Sequence, residues 1–451
     1  MYYWKEIIYE DPPLDDNTLI GKYPYRLPYN NDVNGIEYHA QSGLMVTIVA
    51  RIRPGVPSTL NAFCAADYDK GTSPHIWGFP NYQMNTLKAS FYDSRSGRNL
   101  KTFEEYSAGY FNFFFANRSN EEDIGRKGNL NSYAYNNYAK DFSIVNTYYP
   151  NVDNFCNRLY IVDTGTLYYS PNEIYYVQNP AVLVFSLPSN GCKSRQFPIV
   201  HRVEIPNHLW KNPVGFVFIT PDYQPKGSCD DVFLYIANIF DNSLIVYDYK
   251  RGDFWSFTDP SMKPVLAESN VSFKDGVYYI PLGISNVALG WPDKNGDRNA
   301  YFVPASSLAE YIVSTKVLKS SKSALYKDSS DAFTLIGYRG CNTETYKQVF
   351  DPTTGIISFG EMFSHKIRCW NTRLPLNPDT VGVVFESDKL LFVAEISVDS
   401  EEYLWFITNS LPYMFNTQDP LNVTEVNSRV FRVKVYDAIK GTVCDTSTLY
   451  H

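Results

Sequence analysis

The chain has 451 residues, 44% apolar and 20% charged, with a formal net charge of −8, a composition of folded globular proteins rather than disordered ones. The acidic balance argues against a nucleic-acid binder, which needs a basic face, and no apolar run approaches the roughly 18 residues of a membrane-spanning helix. Aromatic residues reach 16%, with 37 Tyr and 29 Phe; such rings favour strands, so the composition leans to an all-β protein. Length alone would suggest two or three domains.

In chain order, the opening MYYWKEIIYEDPP lacks the apolar core of a signal peptide. LMVTIVARIRPGVPSTLNAF, from Leu44, predicts a strand, a basic Pro/Gly turn and a short extended segment, and Leu60 to Pro80 then looks loop-like. The stretch at about 87–140 is rich in Tyr, Asn, Ser and charge without a period, and is expected to be an irregular insertion with a short aromatic strand at Tyr110 to Phe115. NRLYIVDTG (157–165) resumes the strand rhythm, followed by DVFLYIANIFDNSLIVYDYKRGDFWSF (231–257), a meander with Asp-Asn and Arg-Gly turns. Further strands are expected in 275–290, 299–307, 346–372 and 428–437. Asp293 to Asp297 superficially resembles a calcium loop, lacks its downstream glutamate, and reads as a turn. Residues 306–320 carry some helical periodicity, although their β-branched residues suit strands as well. Late in the chain, runs at Leu390–Val393 and Leu404–Thr408 flank a polar link, Asp399 to Glu402, as in a hairpin; Asn409 follows, and Pro412 is expected to stop regular structure.

Short strands with a turn every 8–12 residues signal a sandwich, barrel or propeller. Roughly 400 residues outside the insertion suit about six propeller blades of four strands. The phrases LYIVDTG, LYIANIF and LWFITNS repeat an apolar strand ending in a small polar residue, and such echoes sit at equivalent places of successive blades. Their polar ends, Asp163, Asn238 and Asn409, are candidate ligand contacts at a tunnel mouth, although Asx side chains most often hydrogen-bond a turn.

VTIVARIRPGVPSTLN (46–61), CNRLYIVDTG (156–165), GSCDDVFLYIANIFDNSLIVYD (227–248), RCWNT (368–372), AEISVDSEEYLWFITN (394–409) and GTVCDTS (441–447) occur in the order found in the major royal jelly/Yellow proteins, which the chain resembles over nearly its whole length outside the insertion. Trp4 and Lys5 resemble that family's mature N-terminus. The resemblance implies a secreted six-bladed β-propeller, residues 1–451 forming one domain around a central tunnel. It implies bridges Cys156–Cys229 and Cys369–Cys444, each stabilising by roughly 3–5 kcal/mol on chain-entropy arguments. Of the three other cysteines, Cys64 and Cys192 are candidates for a third bridge, with Cys341 left over. In a secreted protein the sequons at Asn117, Asn270 and Asn422 are glycosylation candidates.

Some salivary members of that family bind biogenic amines in the tunnel, and their contacts carry over to Phe392 as an aromatic, Asn409 as an amide and Leu411 through its backbone. An aromatic face and amide oxygens suit an indole or catechol with an ammonium tail. Two positions depart from the binders: Ala394 replaces a threonine hydroxyl and Leu411 a phenylalanine. Losing a hydrogen bond to a charged amine costs roughly 1.5–3 kcal/mol. The expected function is binding of a small aromatic or amine ligand of the dopamine or serotonin class. The alternatives are a melanin-pathway enzyme of the dopachrome-conversion type, with Asp163 as proton acceptor, and an extracellular structural protein that meets a protein partner through the insertion. The six scattered histidines and the absence of close cysteine pairs suggest no metal site, and no cofactor motif appears.

Overall fold

Each apolar run becomes a strand of a four-stranded antiparallel sheet, and six such sheets form the blades of a propeller. The computed structural model describes residues 2–445 apart from 88–141 and the short stretches 21–22, 171–172, 194, 196, 225–226, 274–275, 326–330 and 418. From the axis outward, blade 1 comprises Gly35–His39, Leu44–Ile48, Leu60–Cys64 and Trp77–Gly78, and blade 2 comprises Asn151–Asp153, Arg158–Asp163, Ala181–Ser186 and Ile199–Glu204. Blade 3 is Phe216–Tyr223, Val232–Asn238, Ser243–Asp248 and Asp253–Thr258, and blade 4 is Ile284–Pro292, Arg298–Pro304, Ala309–Ser314 and Thr334–Tyr338. Thr345–Asp351, Ile356–Glu361, Lys366–Asn371 and Val381–Glu386 make blade 5. Blade 6 takes Phe392–Val398, Tyr403–Asn409 and Ser428–Lys434 from the C-terminal part and its outermost strand, Tyr2–Trp4, from the N-terminus. Tyr2 pairs with Val430 and Trp4 with Ser428, so the two ends of the chain close the ring. The six innermost strands touch in cyclic order around the axis.

Radial sheets explain why these strands read as continuous apolar runs instead of alternating. Leu404 and Phe406 pack with Ile396 and Ile367 in the core between blades 5 and 6, while Trp405 and Ile407 of the same strand face the core shared with blade 1. Both faces are buried, and each large side chain contributes about 1.5–3 kcal/mol. Phe385, Phe406 and Phe431 stack across the first of these interfaces.

All three expected bridges are present: Cys156–Cys229, Cys369–Cys444 and Cys64–Cys192. Cys341 is unpaired and exposed. Residues Asp293 to Asp297 form the turn between the first two strands of blade 4, Asp293 accepting from the amides of Asn295 and Asp297.

Several local expectations need correction. Leu60–Cys64 and Trp77–Gly78 are strands within a stretch that looked loop-like, because neighbouring strands satisfy their backbones. Residues 306–320 need none, since they answer to both readings: the strand Ala309–Ser314 is followed by the helical turn Thr315–Leu318, capped by Ser314. Pro412 opens the short helix Leu411–Asn416 and does not end structure, since a proline in the first turn lacks only an amide that no helix carbonyl would receive. The insertion at about 87–140, with Tyr110 to Phe115 and Asn117, lies almost wholly outside the described residues. Its flanks meet: the Ile144 amide donates to Met84 O at 2.6 Å and Ser143 Oγ to Thr86 O at 2.9 Å.

Candidate functional site at the propeller axis

Antiparallel pairing places the ends of all second strands at the face where the innermost strands begin. Asp163, Asn238 and Asn409 are such ends, in blades 2, 3 and 6, so the repeated phrase does mark equivalent positions. All three are fully buried. Asp163 accepts from the amides of Val145, Asn146 and Gly165 and from Gln178 Nε2, at 2.9–3.0 Å. Burial raises its pKa, opposed by those backbone bonds. Asn238 donates to Asn212 O and Asp241 Oδ2 and accepts from the amides of Phe240 and Asp241. Asn409 donates to Val33 O at 3.2 Å and accepts from the Leu411 amide at 3.1 Å. Each amide or carboxylate thus ties a loop at the mouth.

The motif RIRPG works at the same face. Arg51 is fully buried and donates to the carbonyls of Val56, Pro57, Asn85, Ile144 and Val145, clamping both flanks of the 88–141 segment. Arg53 donates to the carbonyls of Met414, Thr417 and Asp419 and holds the helix that begins at Leu411.

Phe392 pairs across the strand with Asn409, and Ala394 occupies the irregularity between Val393 and Glu395. With Leu411 they form one buried corner of blade 6. The Phe392 ring meets Tyr346 of blade 5 at 5.5 Å and Phe363 at 5.7 Å. Tyr346 in turn meets Phe218 of blade 3 at 5.4 Å and Tyr149, just before the blade 2 inner strand, at 5.5 Å; Tyr149 stacks on Phe218 at 4.3 Å. Blades 3 and 5 are not neighbours, so these rings meet across the axis.

Further along the same strands, one residue after Tyr346 and three after Phe392, lies an ionic layer. Lys347 Nζ of blade 5 sits 2.9 Å from Glu395 Oε1 of blade 6 and 3.4 Å from Glu37 Oε1 of blade 1, and 5.3 Å from the Phe218 ring centroid. The second Glu395 oxygen accepts from the Ile36 amide. Gly35 permits this approach: a Cβ there would lie 2.7 Å from Tyr148 O and 3.1 Å from Glu395 Oε2. Burial raises the pKa of both carboxyls; Lys347 opposes the rise, and their mutual repulsion adds to it at Glu395. For Lys347, burial would lower the pKa, but Glu395 and Glu37 outweigh it and hold the ammonium charged. Beside it, between blades 4 and 5, Glu310 pairs with Arg339 at 2.9 Å and accepts from Gln348 at 2.7 Å; burial raises its pKa to about 7.

Glu37, Lys347, Glu395, Tyr149, Phe218 and Tyr346 were not among the sequence candidates. Their signal was faint: a charge inside an otherwise apolar strand, as in AEISV and TYKQVFD. Among the described residues, no three His, Cys, Asp or Glu are grouped to hold a metal, and no helix is long and apolar enough to cross a membrane. On the rim, a cavity of about 290 Å³ beside Cys64–Cys192 is lined by Trp77, His75 and two salt-bridged pairs, Arg195–Glu10 and Lys193–Asp67.

Six blades, three disulfides and an axis closed by aromatic and ionic side chains define a bridged β-propeller with its polar chemistry at the centre. The chain belongs to the Major royal jelly protein family, whose profile matches residues 146–444. It is 36% identical over 304 residues to the Yellow-related salivary protein SP03 of Phlebotomus perniciosus, covering 67% of this chain and 74% of that one. The Yellow-related salivary protein M10 of Phlebotomus duboscqi is 35% identical over 313 residues, covering 68% and 74%. L-dopachrome tautomerase yellow-f of Drosophila melanogaster is 27% identical over 420 residues, covering 93% and 83%.

Proposed function

We propose that the protein is a secreted Yellow-type carrier that binds a small aromatic amine of the dopamine or serotonin class at the propeller axis. The observation that carries this reading is the convergence of Tyr149, Phe218, Tyr346 and Phe392 from four blades directly above two carboxylates that share one lysine. Rings of that kind pack an indole or catechol, and a carboxylate in excess suits an ammonium. Phe392, Ala394 and Leu411 form the blade 6 wall of the site, and Asn409, Asn238 and Asp163 hold the loops around its mouth. The salivary relatives and three disulfides support secretion. Asn270 and Asn422 are exposed, as glycan acceptors must be. Titration calorimetry with dopamine, serotonin and tryptamine tests the reading: saturable one-site binding is expected, weakened roughly tenfold in Tyr346→Ala. No heat at millimolar amine would sink it.

A second reading has an observation of its own. Carboxyls whose pKa is raised by burial, as at Glu37 and Glu395, are suited to pass protons near neutral pH, and one relative is named a dopachrome tautomerase. On this reading the axial carboxyls, rather than the backbone-saturated Asp163, serve as acid and base. Loss of dopachrome absorbance faster than its spontaneous decay, abolished in Glu395→Gln, would support it; an unaltered rate counts against it.

A further inference from the structure

The axial ionic layer is unequal in charge: two carboxylates face one ammonium. Glu395 is 0% exposed, while Glu37 and Lys347 keep 6% and 8%. The groups that face the layer are identifiable from each neighbouring element. Glu37 is hydrogen-bonded by Ser397 and repelled by Asp399, which is itself held by Trp405 Nε1 and the amides of Glu401 and Tyr403. Glu395 is held by the Ile36 amide, and Lys347 lies over the Phe218 ring. The Tyr149 hydroxyl is buried, in the field of Glu395 and paired with the Tyr346 hydroxyl.

With both carboxyls ionised, one buried negative charge stays uncompensated, a state that burial strongly disfavours. Either a proton or a second cation must neutralise it. Burial and mutual repulsion favour the proton in the unliganded protein.

We propose that the Glu37–Lys347–Glu395 triad is an exchange site, in which the ammonium of an entering aromatic amine replaces a proton shared by the two carboxyls and that proton leaves to solvent. The net charge is unchanged: one carboxylate, one carboxylic acid and one ammonium become two carboxylates and two ammoniums. The inference rests on the amine-binding reading and adds a proton count to it. Binding strengthens as pH rises through the range in which the pair would otherwise stay protonated, and acid drives the amine out.

Calorimetry of the full chain with dopamine, in phosphate and in Tris at one near-neutral pH, measures the protons released from the difference in heat. 4-Methylcatechol serves as the uncharged ring. The expected result is between about half and one proton released per dopamine and none for 4-methylcatechol, with dopamine affinity falling by up to about tenfold per pH unit on acidification. Glu395→Gln should abolish the release, with near-UV dichroism checking the fold; Glu37→Gln serves if that variant does not fold. Dopamine binding with buffer-independent heat overturns the exchange and leaves amine binding standing. Equal release with 4-methylcatechol overturns the exchange too, and failure of dopamine to bind at any pH overturns both.

Discussion

Two sets of buried polar side chains occupy this propeller, and they differ in how they are satisfied. Asp163, Asn238 and Asn409 end their strands with hydrogen bonds to the backbone of adjoining loops. Glu37, Lys347 and Glu395 come from three different blades, meet only through the closed ring, and do not balance in charge. The first set holds the mouth together; the second leaves the axis with a demand for a proton or a cation. Polar residues that look alike in the sequence are therefore separated by where their partners come from.

The largest effect should follow from breaking the axial set. Lys347→Met leaves two buried carboxyls without their ammonium and should cost about 3–5 kcal/mol in chemical denaturation, more than any single strand-end change. Asp163→Ala removes an acceptor of four hydrogen bonds and should cost about 3 kcal/mol, while dopamine affinity at a temperature where the variant is folded stays within about twofold. A large affinity loss there would erase the contrast between the two sets. Asn409→Ala should cost about 1–3 kcal/mol by freeing the Leu411 amide and the Val33 carbonyl.

The pH dependence of stability should sharpen the contrast further. Glu395 has a folded-state pKa raised above its ordinary 4.5, so its contribution is fully present below that value and is lost as pH rises through the folded-state pKa. Thermal melts of Glu395→Gln and the wild type, taken from about pH 5 to about pH 9, should therefore move in the variant's favour as pH rises. A constant difference would mean that Glu395 is ionised throughout. The smallest effect is expected for replacing 88–141 with a short Gly/Ser link, since Arg51 and the Met84–Ile144 contact already hold the flanks together; the melting temperature should shift by only a few degrees, on the order of 1 kcal/mol.

Much of the fold was legible because propeller strands are buried on both faces and stand out as short apolar runs. Leu404 to Asn409 and Val232 to Asn238 announced themselves in this way, and the cysteines of the matching motifs pair as implied. Strands such as Tyr2–Trp4 and Trp77–Gly78 were missed because they are short outer edges whose partners lie far away in sequence. The candidate site was only partly legible. Phe392 lines the aromatic layer, but the rings and charges it joins come from residues 37 to 395, and no local spacing records a meeting across an axis. Ala394 and Leu411, the two departures from the amine-binding pattern, lie beside Glu395 and at the mouth respectively.

A crystal structure with bound dopamine tests the central claim most directly. The account predicts the catechol ring against Tyr346 and Phe392, with the ammonium in hydrogen-bond reach of Glu37 or Glu395 and displacing neither from Lys347. Dopamine found only in the rim cavity beside Trp77 and Arg195, with the axial side chains unmoved, would contradict it.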